Sequence, residues 1–223
     1  MSTAMTQSVD AIARSLSADV NQLDIISQNV ANMRTPGYRA ERSFSALAGV
    51  RLDLSDAALE NTGRQEDLAL RGQGFFAVDV NGQVLLERNG AFHVDSQHRL
   101  VDATGHAVQG EDGVIDIEGQ TLKVGSDGVV SVDGKAVDRL HIVAVTDPAL
   151  VKEAGSGLYS YAGTEGEWIG SVRQGALEEA NVDASGEMVR LIEVTRHAQA
   201  VQHAIQAYDE ALQSGINHLG ENT

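Results

Sequence analysis

Apolar residues recur every seven positions toward the C-terminal end of the chain, at Leu191, Ala198, Ile205, Leu212 and Leu219, and Val194, Val201 and Tyr208 follow the first three of them at a spacing of three. On a helix this a/d pattern makes one narrow apolar seam. Met188 and Ile192 widen it, and Arg190, Glu193, Arg196, Gln199, Gln206 and Glu210 supply a polar face. No proline falls between Val182 and Leu219, so the pattern predicts a helix of ~35 residues, roughly 50 Å long. Asn181 or Asp183 is placed to cap its start, and Glu187 suits the positive end of the helix dipole. Gly186 is a poor interior helix residue, which puts the expected regular start near Glu187.

The beginning of the chain mirrors its end. Met5, Val9, Ile12, Leu16, Leu23, Ile26 and Val30 fall at spacings of three, four and seven, with Asp19 interrupting the seam. This predicts a helix from about Ser8 to Asn32, stopped by Thr35-Pro36-Gly37: proline disfavours helix in the residue before it, and glycine accepts the positive φ of a turn. A seam needs a partner. The two helices are expected to pair with each other, with copies of themselves, or both; the plainer alternative is two surface helices of one globular domain.

Between them the texture changes. Residues 40–66 lack a clear period and read as a linker with some extended structure. From Asp67 the pattern alternates: Phe76, Val78 and Val80 against Ala77 and Asp79, then Asn81-Gly82, then Val84 to Glu87. An Asn-Gly between two such runs is a strong hairpin signal, because both central residues of a type I′ turn need positive φ. Further strands are expected at Phe92–Val94, Arg99–Val101, Val114–Ile117, Thr121–Val124, Val129–Val132, Leu140–Val145, Leu158–Tyr161 and Trp168–Val172. Asn89-Gly90, Thr104-Gly105, Asp112-Gly113, Asp127-Gly128 and Asp133-Gly134 are the expected breaks. The fold class is therefore α+β: long N- and C-terminal amphipathic helices paired as a coiled-coil layer around a central antiparallel β domain. The expected boundaries are 1–39 for the first helix and its turn, 40–66 for the linker, 67–176 for the β domain and 177–223 for the second helix.

Charge narrows the choice of partner. The chain has 16 Lys and Arg against 32 Asp and Glu, a net charge of −16, with a single Trp and no Cys. That balance argues against a nucleic-acid backbone or an anionic membrane. It also excludes disulfides and thiolate metal sites. Residues 1–52 stand apart, with five Arg and four acids. No basic n-region followed by a continuous apolar stretch opens the chain, so no cleaved signal peptide is expected. No apolar run approaches a membrane span.

Catalytic and ligand signals are weak. Gly72-x-Gly74-x-x-Ala77 fits a dinucleotide fingerprint on paper, but that motif requires a helix after the glycines, and here a strand follows. No two of the seven His stand four apart, as a helical metal site would require. No nucleophile elbow and no calcium-loop ladder is present. No enzyme activity, cofactor or metal is expected. One alternative is a soluble β-domain binding module on a helical oligomerisation stalk, with Trp168, Tyr159 and Tyr161 as its aromatic candidates.

Four blocks of sequence resemble one family, the bacterial flagellar basal-body rod proteins of the FlgF and FlgG type. Ser27 to Arg39 resembles the family's N-terminal signature, with Asn29, Asn32, Thr35, Pro36, Gly37 and Tyr38 at its defining positions. Asp67 to Val78, with Gly72, Gly74 and Phe75, is similar to the segment that opens the family's β domain. Arg88-Asn89-Gly90-Ala91-Phe92 is similar to its Arg-x-Gly-x-Phe hairpin. Gln174-Gly175-Ala176-Leu177-Glu178, with Asn181-Val182-Asp183, resembles its C-terminal motif. The resemblance implies a non-enzymatic subunit of the flagellar rod, exported by the flagellar type III machinery and polymerised in the periplasm with copies of itself and other rod and hook proteins. Neither nucleic-acid binding nor membrane insertion is implied. The short segment between Arg42 and Asp67 favours the proximal over the distal rod type. The expected assembly interface comprises Val9, Ile12, Leu16, Leu23, Ile26, Val30, Leu191, Val194, Ala198, Val201, Ile205, Tyr208, Leu212 and Leu219. Arg34, Arg39 and Arg42 are expected to face acids of neighbouring C-terminal segments.

Overall fold

Two long helices bracket a run of short strands in the computed structural model, which describes the backbone of residues 2–43 and 49–220 and the side chains of residues 10–43, 49–207 and 210. Helix α1 is Ser2–Asn32 and α2 is Ala184–Gly220. At 31 and 37 residues they run about 46 and 55 Å at 1.5 Å per residue. Among the described residues no helix is long and apolar enough to cross a membrane. The chain divides into two compact units. One contains the helices; the other comprises Ala31–Arg42 and Val50–Val182.

Helix α1 stops at Asn32 as its sequence predicts, where Thr35 N–H returns to the Asn32 carbonyl at 2.9 Å. The start of α2 differs from expectation. It begins at Ala184, and its first turn is closed by the Glu187 N–H donating to the Asp183 carbonyl at 2.9 Å. Gly186 sits inside this turn, where a Cβ would lie close to Asp183 Oδ2, the end of an exposed side chain that can turn aside.

The second unit is built on the predicted hairpin. Strands Gly74–Val80 and Gln83–Glu87 pair from Phe76↔Glu87 to Val80↔Gln83. The turn residues Asn81 and Gly82 have φ of 56° and 83°, the double positive φ of a type I′ turn. On one side Leu158–Tyr161 and then Val151–Gly155 extend the sheet; on the other lie Ala107–Val108, Leu100–Val101 and His93–Val94, and Ile142–Val145 shares that edge. A three-stranded sheet of Leu122–Val124, Val129–Val132 and Lys135–Arg139 accompanies it. Two further ladders join distant sequence: Leu68–Arg71 with Ser171–Gln174, and Leu59–Asn61 with Ala176–Glu178.

Side-chain alternation along Gly74–Val80 divides the core. Phe76 and Val78 join a cluster with Leu68, Leu70, Phe92, Leu100, Ile115 and Val130, while Phe75 and Ala77 join Leu54, Leu86, Val143 and Tyr159 on the opposite face. Each side carries an edge-to-face aromatic pair, Phe76–Phe92 at 5.0 Å and Phe75–Tyr159 at 5.7 Å.

Several expected β elements are corrected. Val114–Ile117 forms isolated bridges rather than a strand, although Ile115 and Ile117 are core residues. The run Leu140–Val145 starts its strand only at Ile142, and Lys135–Arg139 forms a separate strand beyond the Asp133-Gly134 turn. Trp168 lies before its strand, Ser171–Gln174. Asn89-Gly90 is not a reversal with positive φ at glycine. Gly90 is required there because a Cβ would meet the Leu68 carbonyl oxygen at 1.6 Å.

Candidate functional site

The four motif blocks converge on one buried ionic knot. The Thr35-Pro36-Gly37 turn brings Arg39 inward, the hairpin strand Gln83–Glu87 delivers Arg88 at its end, and the short strand Ala176–Glu178 delivers Glu178. All three side chains are almost fully buried. Glu178 accepts from Arg39 Nη2 with both oxygens at 3.0 Å, from Arg88 Nε at 2.6 Å, and from the Ala57 N–H at 2.8 Å. Arg39 also donates to the Ser55 carbonyl at 2.8 Å. The remaining Arg88 donors reach the carbonyls of Leu70, Gly72 and Gly74, and Asp56 at 3.4 Å. Two buried cations therefore share one buried carboxylate, and backbone carbonyls absorb most of the excess. Burial, with Arg39 close by, pulls the Arg88 guanidinium below its usual pKa, while Glu178 and Asp56 act in the opposite sense.

Motif glycines and amides make this geometry possible. Gly37 has φ +70° and donates to the Glu178 carbonyl at 2.7 Å. A Cβ on Gly37 would lie 2.5 Å from the backbone of Arg88 and Asn89. Pro36 fixes the turn, in which Tyr38 N–H returns to the Thr35 carbonyl at 3.2 Å, and Thr35 Oγ1 donates to Asn32 Oδ1. Gly72 N–H donates to the Asp56 carboxylate. Gly74 leaves room for the Trp168 ring, and Phe75 is core. Gly175 N–H donates to the Asp67 carbonyl at 2.8 Å. Asn181 is not the helix cap: its Oδ1 accepts from Ala40 N–H at 2.6 Å, and its amide donates to the carbonyls of Asp53 and Ser55 at 2.8 and 3.0 Å. Asn29 is fully buried within α1.

The expected intermolecular role of Arg39 is overturned, since its partner is Glu178 of its own chain. Arg42 also has an acid of its own chain nearby, Asp53 at 3.7 Å. Arg34 is exposed. The sequence reading missed the knot because it treats charges as surface features. A signal was nevertheless present, since three of the motif blocks each supply one charged member of the knot, Arg39, Arg88 and Glu178.

On the helices, Ile26 and Val194 are buried; Ile12, Leu23, Val30, Leu191, Ala198, Val201 and Ile205 are partly buried; and Leu16 is exposed. The side chains of Val9, Tyr208, Leu212 and Leu219 lie outside the described residues. Met188 and Ile192, expected to widen the seam, are exposed. Asp19, read as an interruption, is buried and bonded to His197 Nδ1 at 2.8 Å, which ties α1 to α2. Of the aromatic candidates, Tyr159 and Tyr161 pack on one core cluster and Trp168 on the other, so they form no common site.

A chain whose motif residues are committed to a buried structural knot, with long helices at both ends, defines a scaffold-type protein. Comparison with known proteins gives the family. Residues 12–39 match the family described as flagella basal body rod protein, residues 69–132 the flagellar hook protein FlgE/F/G D1 domain, and residues 173–218 the flagellar basal body rod FlgEFG protein C-terminal region. The flagellar basal-body rod protein FlgF of Caulobacter vibrioides is 28% identical over 226 residues, covering 90% of this chain and 92% of that protein. The rod protein FlgG of Bacillus subtilis is 29% identical over 244 residues, covering 88% and 92%. The flagellar hook protein FlgE of Salmonella typhimurium is 35% identical over 109 residues, 43% of this chain and 27% of that one. The chain belongs to the flagellar basal-body rod protein family, of the FlgF and FlgG type.

Proposed function

We propose that this chain is a structural subunit of the bacterial flagellar rod, a non-catalytic element of the axial drive-shaft that polymerises through its terminal helices. The observation that carries the reading is the apolar surface left on those helices. Leu16 and Val20 of α1 are 38% and 50% exposed, and Met188, Val189 and Ile192 of α2 are 55%, 56% and 53% exposed. These side chains are already about half buried, so finishing their burial contributes roughly half of the 1.5–3 kcal/mol of a full burial each, about 4–7 kcal/mol over the five. In this reading α1 (Ser2–Asn32) and α2 (Ala184–Gly220) pair as a coiled-coil layer pinned by Asp19–His197. The β domain, with residues 67–176 at its centre, follows α1 and precedes α2 in the chain. Subunits travel through the flagellar type III export machinery and assemble in the periplasm with copies of themselves and other rod and hook proteins. The short Arg42–Asp67 segment supports the proximal rod type, whereas identities of 28% and 29% to FlgF and FlgG relatives do not separate the two.

Limited proteolysis of the dilute full chain, with fragments identified by mass, tests the reading. It expects early cleavage in the terminal helices, a resistant fragment near residues 31–182 that keeps the knot, and protection of the helices on polymerisation. Uniform resistance in a monodisperse monomer that never polymerises would refute it.

A further inference from the structure

A cavity of about 410 Å³ opens beside the knot. Met33, Pro36, Leu177, Ala180 and Val182 give it an apolar floor, and Glu60, Glu179 and Arg34 stand exposed at its rim. Glu178, on the inner wall, is already engaged by Arg39 and Arg88. The free rim charge is thus two carboxylates against one guanidinium.

Elsewhere, α2 presents a line of complementary character. Met188, Ile192 and Arg196 follow one another at i, i+4 and i+8 and therefore share one face of the helix, and all three are exposed. Val189 flanks the two apolar members. The line offers two apolar side chains followed by a cation, and the cavity offers an apolar floor with an acidic rim.

We propose that the α2 face formed by Met188, Ile192 and Arg196 of one copy seats in the Met33–Pro36–Leu177–Val182 cavity of a second copy, with Arg196 at the Glu60 and Glu179 rim. The contact joins two different surfaces, so it is heterologous: each copy keeps a free cavity and a free helix face, and addition continues rather than closing as a dimer. The proposal rests on the rod reading and names a contact that such a polymer uses.

The chain has no native cysteine, which makes cross-linking clean. Copies carrying Met33→Cys are mixed with copies carrying Ile192→Cys, polymerised and oxidised. The expected product is a disulfide dimer from the mixture and none from either variant alone. In a second arm, Arg196→Glu raises the critical concentration for polymerisation about ten-fold, and adding Glu179→Arg in the same chain largely restores it. Polymers that form without the mixed disulfide and are indifferent to Arg196→Glu overturn this contact and leave the rod reading standing. A disulfide from a single variant indicates a self-complementary contact and also overturns it. If the wild-type chain forms no polymer under any condition, the rod reading falls and this contact falls with it.

Discussion

Replacing Glu178 by alanine removes the one carboxylate that two buried guanidiniums share. Four donor contacts lose their acceptor: two from Arg39 Nη2, one from Arg88 Nε at 2.6 Å and one from the Ala57 N–H. Breaking a buried ion pair by deleting one partner costs about 3–5 kcal/mol, because the remaining charge stays desolvated. Arg88 keeps the carbonyls of Leu70, Gly72 and Gly74, but Arg39 keeps only Ser55 among its hydrogen-bond acceptors described above. The larger share of the loss therefore falls on Arg39. The expected destabilisation is about 4 kcal/mol, a large part of the 5–15 kcal/mol typical of a domain. Urea unfolding followed by the single Trp, Trp168, is the assay. With m near 2–3 kcal/mol/M, the midpoint should fall by about 1–2 M. Replacing the pair together, as Arg39→Met with Glu178→Leu, should cost less than Glu178→Ala alone, because it leaves one buried guanidinium, Arg88 with its carbonyl acceptors, instead of two. A midpoint shift for Glu178→Ala corresponding to less than about 1 kcal/mol would refute the view that the knot joins the motif segments energetically.

Gly90→Ala should destabilise by about 3 kcal/mol, the upper end of overpacking effects, because its Cβ would meet the Leu68 carbonyl oxygen at 1.6 Å; thermal melting checks this. Asn181→Ala removes three side-chain hydrogen bonds to backbone groups of Ala40, Asp53 and Ser55 and should cost about 2–3 kcal/mol, with faster amide exchange at Ala40. Glu87 is pushed up to about 8 by burial, reinforced by the Asp102 charge. Its folded pKa lies above its unfolded value, so the folded chain holds a proton that the unfolded chain releases, and stability falls as pH rises from about 4.5 to about 8. Glu87→Gln should remove that slope and raise stability at pH 8 by roughly 2–5 kcal/mol, measured by urea unfolding at pH 5 and pH 8.

Local pattern was enough for the elements whose causes are local. The heptad seams predict α1 and α2, and Thr35-Pro36-Gly37 ends α1 because proline and glycine act on their immediate neighbours. Asn81-Gly82 sets its hairpin register through two positive φ angles. What the sequence by itself could not decide was which residues meet across long separations. Arg39 and Glu178 are 139 positions apart, and Asp19 and His197 178 apart. A lone charge carries no mark of its partner, so its default reading is a solvated one. The same limit applies to the glycines: Gly37 and Gly90 look alike as turn residues, yet Gly37 has both a positive φ and the Arg88–Asn89 backbone against it, while Gly90 is needed only for the Leu68 carbonyl that passes beside it. Periodicity determined the helices and the β texture, because propensity and burial pattern act within a few residues. The knot, the buried Asp19 and the exposed Met188 and Ile192 were decided only by tertiary packing, which determines which polar groups lose water and must find one another.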